Sequence, residues 1–319
     1  MIVICIESSH KRGMGHFFRA LNIVDFLSLK KEKALIVINK DIASNQLLEQ
    51  KKIPYVVVDY DDEQSNWEKG IILKYCVDVW LLDKFYSSME LAQHIKTERI
   101  LLVAIDDCGP GAELVDIHFC SMIFQNLKGK RIFRGKDYLI LNKEIEKYRR
   151  KRSKINKIIV SLGGSDTYGV TNKIVRVLKE YGYSADIVIG PNFHHKKQLK
   201  KEIDTEFTII EKVPSLIELF SNYDMAITGG GVTCFEANAS GLPCIIVANE
   251  LHEIEIAKYV EKFGGSIFAG YYKEIDKRKF QMEFLNIEQM SIDALNAFPL
   301  NGMSNVYEII NERRRIENG

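Results

Sequence analysis

The stretch "ITGGGVTCFEANASGLPCIIV", residues 227–247, decides the fold. An apolar strand ends at three glycines, a helix is predicted to begin near Val232, and Gly241-Leu242-Pro243 ends that helix before a second apolar strand. Both strands are continuously apolar rather than alternating, as in parallel sheets that helices cover on both faces. The stretch therefore predicts one strand–helix–strand unit of a parallel α/β sheet.

The same stretch predicts a ligand site. Ligands bind beyond the carboxyl ends of parallel strands, and the free amides at the start of a helix bind anions. Thr233 adds a hydroxyl donor, and the carboxylate of Glu236, about one turn into the helix, suits the two hydroxyls of a ribose. A plain glycine-rich turn also explains the glycines, but it gives no reason for Glu236.

The alternation of apolar strands with helical segments extends over the whole chain. Predicted helical segments include 171–181 and 252–263. The predicted strands are residues 2–6, 34–38, 55–58, 77–82, 100–105, 119–123, 158–162, 185–189, 207–210, 224–228 and 244–248.

The strand pattern is interrupted once, by the polar and basic segment "NKEIEKYRRKRSKINK", residues 142–157. It has no apolar stripe, and we interpret it as a solvated helix or linker that separates two domains. The sequence thus predicts an α/β fold of two Rossmann-like domains whose parallel sheets face a cleft. The predicted domains are 1–148 and 156–302, and a terminal helix follows at 303–319.

Two further glycine clusters follow predicted strands. In "SLGGSDTYGVTNKIV", residues 161–175, Asp166 and Thr171 are capping types, so this is either a capped turn or a loop that holds a phosphate or a sugar hydroxyl. In "GMGH", residues 13–16, the glycines permit close approach of a ligand. His16 is predicted near a helix N-terminus, which disfavours imidazolium, so its neutral ring can accept a proton. A lone histidine in a loop is also commonly a surface residue.

The composition excludes several classes of function. Lys and Arg number 44 and Asp and Glu 43, so the formal charge of +1 gives no argument for a nucleic-acid partner or an acidic membrane. The six cysteines are scattered without a CxxC pair, which indicates neither a zinc site nor disulfides. No apolar run approaches the roughly 20 residues that span a bilayer, and no signal peptide is predicted. We expect a cytoplasmic protein, a monomer or weak homodimer, that acts on a small molecule.

The three glycine motifs, taken in order, resemble those of a known superfamily. GMGH, GGSD and GGGVTCFEANASGLP, together with the blocks LLDKFY, AIDD, FQN and KDYLILNKE, resemble the GT-B nucleotide-sugar enzymes over roughly residues 1–265. The chain is similar above all to the UDP-sugar hydrolases of pseudaminic acid biosynthesis and to spore-coat polysaccharide proteins. The N-acetylglucosaminyltransferases of peptidoglycan synthesis are more distant.

The resemblance implies a GT-B-like fold for the two Rossmann-like domains. It also implies a hydrolase of a UDP-activated amino or deoxy sugar, working in nonulosonic acid-type surface-glycan biosynthesis without a metal or cofactor. His16 would act as general base on the water that attacks the anomeric carbon, and Glu236 would bind the ribose. Asp83 and Asp107 are the other predicted catalytic residues. The remaining predicted substrate-binding residues are Gly13, Gly15, Tyr86, Asn126, Gly163, Gly164, Ser165, Gly230, Gly231, Val232, Thr233, His252 and Glu253.

Two other functions remain open. A GT-B glycosyltransferase would need the same nucleotide site. In a non-catalytic sugar-nucleotide-binding protein, loss of His16 would change only the affinity for the ligand. The polar, mixed-charge segments 60–75 and 84–95 favour a small soluble substrate over a membrane-bound acceptor. Asp106 and Asp107 can either orient His16 or the sugar, or cap a helix. Departures from the hydrolases at Glu7-Ser8-Ser9, Asp83-Lys84 and His252-Glu253 leave the sugar open.

Overall fold

The computed structural model describes residues 1–8, 14–62, 65–164, 166–190, 192–211, 213 and 215–318. The chain forms two compact units. The first combines Met1–Leu141 with Asn301–Gly319, and the second is Asn142–Leu300. The chain therefore leaves the first unit, builds the second, and returns for its last helix.

The sheet of the first unit contains seven described strands, all parallel, in the order β3-β2-β1-β4-β5-β6-β7. The strands are β1 (Ile2–Ile6), β2 (Ala34–Asn39), β3 (Tyr55–Val58), β4 (Val79–Asp83), β5 (Leu101–Ile105), β6 (Ile117–Cys120) and β7 (Ile132–Arg134). The helices of this unit are α1 (Gly15–Leu29), α2 (Ile42–Gln50), α3 (Trp67–Tyr75), α4 (Met89–Thr97) and α12 (Gly302–Asn318).

The apolar faces of these elements fix their positions. Every residue of β1, β4 and β5 is buried. Helix α1 buries Phe17, Ile23 and Leu27 in the same core cluster as β1, so its first turn lies beyond the carboxyl end of that strand. Helix α12 adds Met303, Val306 and Ile310 to this core.

The sheet of the second unit contains six described strands, also parallel, in the order β10-β9-β8-β11-β12-β13. They are β8 (Ile158–Ser161), β9 (Ala185–Ile189), β10 (Phe207–Glu211), β11 (Met225–Thr228), β12 (Cys244–Ala248) and β13 (Ser266–Tyr271). The helices are α5 (Ile145–Tyr148), α6 (Val170–Glu180), α7 (Lys196–Glu202), α8 (Leu216–Phe220), α9 (Val232–Ala239), α10 (Leu251–Glu261) and α11 (Ile287–Ala297). Both sheets reverse strand order beside their first strand, as Rossmann-like sheets do.

The prediction of two parallel, Rossmann-like α/β domains is confirmed. Two strands, β7 and β13, were not predicted, because the short β7 is partly exposed and β13 contains glycine. The strand predicted at 119–123 is instead Ile117–Cys120. Its second residue, His118, is buried and polar, and such a residue hides a strand from an apolar pattern.

The segment 142–157 is partly solvated and partly anchored in the second unit, since Lys143, Lys147, Lys151 and Lys154 are exposed whereas Arg152 is buried. The second unit begins at Asn142, earlier than the predicted end of the first domain at 148. Arg152 is buried and donates to the main-chain oxygens of Phe220, Tyr223 and Ser240. Arg149, Arg150 and Arg152 donate to carbonyl groups of their own unit, and sequence polarity alone does not distinguish such residues from solvated ones. In the described ranges, every helix is too short or too polar to span a membrane.

Candidate functional site

Polar side chains gather at the carboxyl edge of the first sheet. Helix α1 begins shortly after β1, Asp83 is the last residue of β4, and Asp106 directly follows β5. Because β1, β4 and β5 are parallel neighbours, these three positions share one edge. The predicted site residue Gly13 lies outside the described residues, while Gly15 opens α1 and faces open space.

His16 and Asp83 form a hydrogen-bonded pair at this edge. Nδ1 of His16 lies 2.7 Å from Oδ1 of Asp83, whose side chain is completely buried. An ionised carboxylate only accepts hydrogen bonds, so Nδ1 carries the hydrogen, and in the neutral ring Nε2 carries the lone pair. No described residue hydrogen-bonds Nε2, and 27% of the His16 side chain is exposed. The pair therefore presents a basic nitrogen at the surface of the edge.

Arg19 holds Asp83 in its ionised state. It lies one turn after His16, and its Nε donates to Oδ1 and Oδ2 of Asp83 at 3.1 and 2.9 Å. Its Nη1 donates to Oδ2 of Asp106 at 2.7 Å. Burial alone would raise the pKa of Asp83, but Arg19 and then His16 outweigh it and hold that pKa at about 2. For Arg19, burial opposes the charge, yet the two carboxylates raise its pKa above the ordinary value.

Asp106 is itself fixed by the loop after β6. Its carboxylate accepts from the amides of Ser121 and Met122 at 2.8 and 2.7 Å and from the Ser121 hydroxyl at 3.0 Å. Its backbone φ of 50° lies in the left-handed region, which costs free energy at a residue other than glycine. Asp106 therefore reaches His16 only through Arg19.

The structure does not bring Asp107 to His16. Oδ1 of Asp107 accepts from the amides of Ser87 and Gly109 at 3.0 and 2.8 Å, and the residue is buried. Its own amide donates to Nε2 of His118 at 3.1 Å. These contacts fix the loops after β4 and β5, and the residue paired with His16 is Asp83.

Exposed aromatic side chains lie close to His16 and Asp83 in the sequence. Tyr86 is 59% exposed, Phe85 51% and Phe18 54%, and each lies within three residues of His16 or Asp83. The predicted residue Asn126 is exposed in the loop after β6, with a φ of 54°. Lys84 points elsewhere: it is buried, with Nζ over the ring of Tyr60.

The carboxyl edge of the second sheet is held together by Glu253. One oxygen, Oε2, accepts from the amides of Gly230 and Asn249 at 3.2 and 2.7 Å. The side-chain amide of Asn249 donates to the carbonyl of Leu162 at 3.2 Å. Glu253 and Asn249 thus join the loops that follow β8, β11 and β12. His252, the neighbouring predicted residue, is exposed on the first turn of α10.

Helix α9 begins at Val232, as predicted, with Gly231 at its N-cap. The first-turn amides of Val232 and Thr233 have no partner within the helix, as in any α-helix. Glu236 lies one turn further on, and burial raises its pKa to about 7. Its side chain keeps some exposure, and no hydrogen bond or ion pair joins its carboxyl group to the described residues. An accessible carboxyl group without a protein partner fits a hydroxyl-bearing ligand.

The glycines after β8 leave open space. An added Cβ at Gly163 or Gly164 would meet no atom within 4 Å, and Gly163 has a φ of 90°. Asp166 caps α6, accepting from the amides of Val170 and Thr171 at 2.7 and 2.8 Å, so the predicted capping role is confirmed. The predicted residue Ser165 lies outside the described residues. The loop thus combines a structural cap with an open glycine surface.

Arg19 and Asn249 were not among the predicted site residues. Arg19 lies three positions after His16 on a predicted helix, so the spacing places both on one face, but arginine is common on solvated faces. Asn249 directly follows a predicted strand. Its position beyond the carboxyl end of that strand is the feature that could have predicted it as a site residue. No group of three or more potential metal ligands occurs in the described ranges.

The chain is similar to proteins of known sequence or structure. Residues 124–289, just over half of the chain, match the family model described as "Protein of unknown function (DUF354)", and the chain belongs to that family. It is 24% identical over 285 residues to an uncharacterized protein of Methanocaldococcus jannaschii, covering 82% of this chain and 58% of that protein. It is 24% identical over 287 residues to the spore coat polysaccharide biosynthesis protein SpsG of Bacillus subtilis, covering 84% and 83%.

Structural similarity extends over nearly the whole chain. MurG of Acinetobacter baumannii superposes with a TM-score of 0.70 at 12% identity, covering 98% of this chain and 99% of its own. HepE of Anabaena, in complex with UDP, gives 0.68 at 15% identity, covering 98% and 100%. UDP-GlcNAc 2-epimerase of Neisseria meningitidis, bound to UDP-GlcNAc, gives 0.64 at 13% identity, covering 98% and 100%. At these identities the similarity establishes the GT-B fold.

Proposed function

We propose that this member of the DUF354 family is an enzyme that hydrolyses a UDP-activated amino or deoxy sugar in surface-glycan biosynthesis. The observation that carries the proposal is the hydrogen bond between His16 Nδ1 and Asp83 Oδ1, because it leaves Nε2 as a base. The name of SpsG, which refers to spore coat polysaccharide, and the UDP and UDP-GlcNAc bound by HepE and the epimerase support the choice of substrate.

The proposed reaction begins with a proton transfer. Nε2 of His16 accepts a proton from water while the water oxygen forms a bond to the anomeric carbon. The resulting imidazolium is stabilised by the buried Asp83 carboxylate, which Arg19 keeps ionised. As the new C–O bond forms, the bond from the anomeric carbon to the diphosphate breaks, and UDP leaves with the electron pair. The products are UDP and the free sugar of inverted configuration.

The second unit would bind the nucleotide. The free amides of Val232 and Thr233 suit the diphosphate and the charge that develops on it as the C–O bond breaks. Glu236 suits the ribose hydroxyls. In this proposal the helix N-terminus supplies the electrostatic stabilisation, so the reaction needs no metal or cofactor. The proposed base belongs to the first unit and the proposed nucleotide residues to the second.

A glycosyltransferase is the second candidate, and one observation favours it. The exposed aromatic side chains Phe18, Phe85 and Tyr86 lie within three residues of the pair. Exposed apolar groups at a site suit an apolar acceptor as well as the methyl groups of a deoxy or N-acetyl sugar. In this alternative, His16 would take the proton from an acceptor hydroxyl instead of from water, and the same bond to UDP would break.

The test is an incubation of the purified protein in ¹⁸O-labelled water with UDP-, GDP- and CMP-activated amino and deoxy sugars, without acceptor and with EDTA. Hydrolysis at the anomeric carbon releases the nucleotide and places ¹⁸O in the sugar. Cleavage at phosphorus would place ¹⁸O in the phosphate and contradict the mechanism. His16→Ala should abolish turnover, and His194→Ala, which removes an exposed histidine of the second unit, should not. UDP binding without turnover would favour the transferase.

A further inference from the structure

A second cluster of aromatic and acidic side chains lies at the carboxyl edge of the second sheet, outside the groups assigned above. Tyr168 follows β8, Glu250 follows β12 and Tyr272 follows β13. The rings of Tyr168 and Tyr272 are stacked, with centroids 4.3 Å apart and planes inclined by 10°. The hydroxyl of Tyr168 lies 3.4 Å from Oε2 of Glu250.

Of the two stacked rings, that of Tyr272 is held in place by its surroundings. Tyr272 packs against the core of the second unit, and its carbonyl accepts from Nζ of Lys173 at 3.0 Å. The same Nζ lies 4.9 Å from the centre of the Tyr272 ring. The side chain of Tyr168, the other ring of the stack, is 40% exposed.

The chain around Tyr168 is held on both sides. Asp166 caps α6, and Nε2 of His195 donates to the carbonyl of Thr167 at 3.1 Å. Gly169 has a φ of 63°, and an added Cβ there would lie 3.1 Å from the His195 ring. The exposed ring is therefore carried on an anchored loop, which lowers the entropy cost of binding a ligand against it.

Glu250 has capacity for another donor. It is the N-cap residue of α10, yet its side chain makes no capping hydrogen bond. Its contact with the Tyr168 hydroxyl is at the long limit of a hydrogen bond. Its charge is nevertheless close enough to raise the pKa of Tyr168. A carboxylate beside an exposed aromatic face suits a ring that offers C–H groups on one face and O–H or N–H donors at its edge.

A path of contacts links this cluster to the proposed nucleotide site. Glu253 joins Gly230 to Asn249, and Glu250 follows Asn249 in the chain and contacts Tyr168. The triple-glycine turn thus precedes the helix of Glu236 and is connected, through Glu253 and the segment Asn249-Glu250, to Tyr168. If Glu236 binds the ribose and the turn binds the diphosphate, the next group of a nucleotide sugar is its pyranose ring.

We propose, resting on the proposed function, that Tyr168 and Glu250 form the subsite for the sugar ring of the nucleotide-activated substrate. The pyranose stacks a C–H face on Tyr168 and donates a hydroxyl or amide hydrogen to Glu250. Because Glu250 is an acid, the subsite accepts neutral or N-acylated sugars and repels uronic acids, whose carboxylate would approach a like charge.

The test measures dissociation constants of UDP, UDP-GlcNAc and UDP-glucuronic acid by calorimetry. We expect the wild-type protein to bind UDP-GlcNAc more tightly than UDP. Tyr168→Ala should raise the dissociation constant of UDP-GlcNAc by about three- to tenfold and leave that of UDP unchanged. Tyr168→Phe, which keeps the ring and loses the hydroxyl, should retain most of the affinity. Glu250→Gln should improve binding of UDP-glucuronic acid relative to UDP-GlcNAc. Melting curves of each variant verify the fold.

Other outcomes overturn the subsite. Equal weakening of UDP and UDP-GlcNAc by Tyr168→Ala would assign the ring to the nucleoside. No effect on either ligand would make the stack a surface contact without a ligand. In both cases UDP still binds the wild-type protein, so the proposed function stands. Failure of the wild-type protein to bind UDP at all would instead overturn the nucleotide site, and the sugar subsite with it.

Discussion

Nδ1 of His16 donates to Oδ1 of Asp83 across 2.7 Å, and this bond decides which nitrogen of the ring is basic. Asp83→Asn offers an amide hydrogen to Nδ1, so the ring hydrogen moves to Nε2, which can then no longer accept a proton. We expect kcat to fall by about 10²–10⁴-fold. The measurement is steady-state release of UDP, with UDP affinity as the reference that should not change.

Asp106→Asn is the matched control for that substitution. It also removes a carboxylate from Arg19, but it does not touch His16. We expect a loss of stability with much less loss of kcat than Asp83→Asn gives. Equal losses from the two variants would mean that Asp83 acts by supporting Arg19 and the fold rather than by orienting His16.

The low pKa of Asp83 predicts an acid-sensitive contribution to stability. Its folded pKa of about 2 lies below the ordinary 3.8, so the contribution is complete above about pH 4 and is lost as the pH falls towards 2. The magnitude is about 2 kcal/mol. Chemical unfolding of the wild-type protein and of Asp83→Asn from pH 5 to pH 2 should give free energies that converge at low pH. A constant difference would show that folding does not lower the pKa of Asp83.

The raised pKa of Glu236 predicts a pH dependence of nucleotide binding. In the proposed site, ribose hydroxyls would donate to the ionised carboxylate. With a pKa of about 7, the ionised fraction of Glu236 rises about tenfold between pH 6 and pH 8. Between pH 6 and pH 8, the affinity of the wild-type protein for UDP should rise by up to the same factor. This rise is measured relative to any change in affinity that Glu236→Gln shows over the same pH range. In the absence of ligand the sign is opposite, because the folded state holds the proton more tightly: stability should fall as the pH rises from about 4.5 to 7. An identical pH profile for Glu236→Gln would contradict the ribose assignment.

Substitutions at two glycines test whether each glycine is needed for ligand binding or for packing. A Cβ at Gly164 meets nothing within 4 Å, whereas a Cβ at Gly230 would lie 2.6 Å from the carbonyl oxygen of Glu253. Gly164→Ala should therefore leave the melting temperature nearly unchanged. If this loop binds the nucleotide sugar, the substitution should lower the affinity for that ligand. Gly230→Ala should lower the melting temperature, measured by calorimetry. A destabilised Gly164→Ala variant would show that the loop serves packing.

The apolar pattern was enough to predict most strands, the parallel sheets and the start of α9, because strands that are buried along their whole length consist largely of Val, Ile and Leu. The position of His16 at the start of α1 followed from the helical period after GMGH. The partner of His16 could not be predicted, because Asp83, Asp106 and Asp107 all follow strands and only side-chain direction separates them. The Tyr168–Tyr272 stack joins residues about a hundred positions apart, and no local pattern indicates such a contact.

The return of the chain to the first unit has a consequence for synthesis. Met303, Val306 and Ile310 of α12 complete the core that supports α1, and Arg314 pairs with Glu32 and Asp78. On the ribosome, the second unit is finished before these residues emerge. The second unit can therefore reach its native packing during translation, while the unit that carries His16 waits for its last helix. The order of synthesis therefore completes the unit of the proposed nucleotide site before the unit that carries His16.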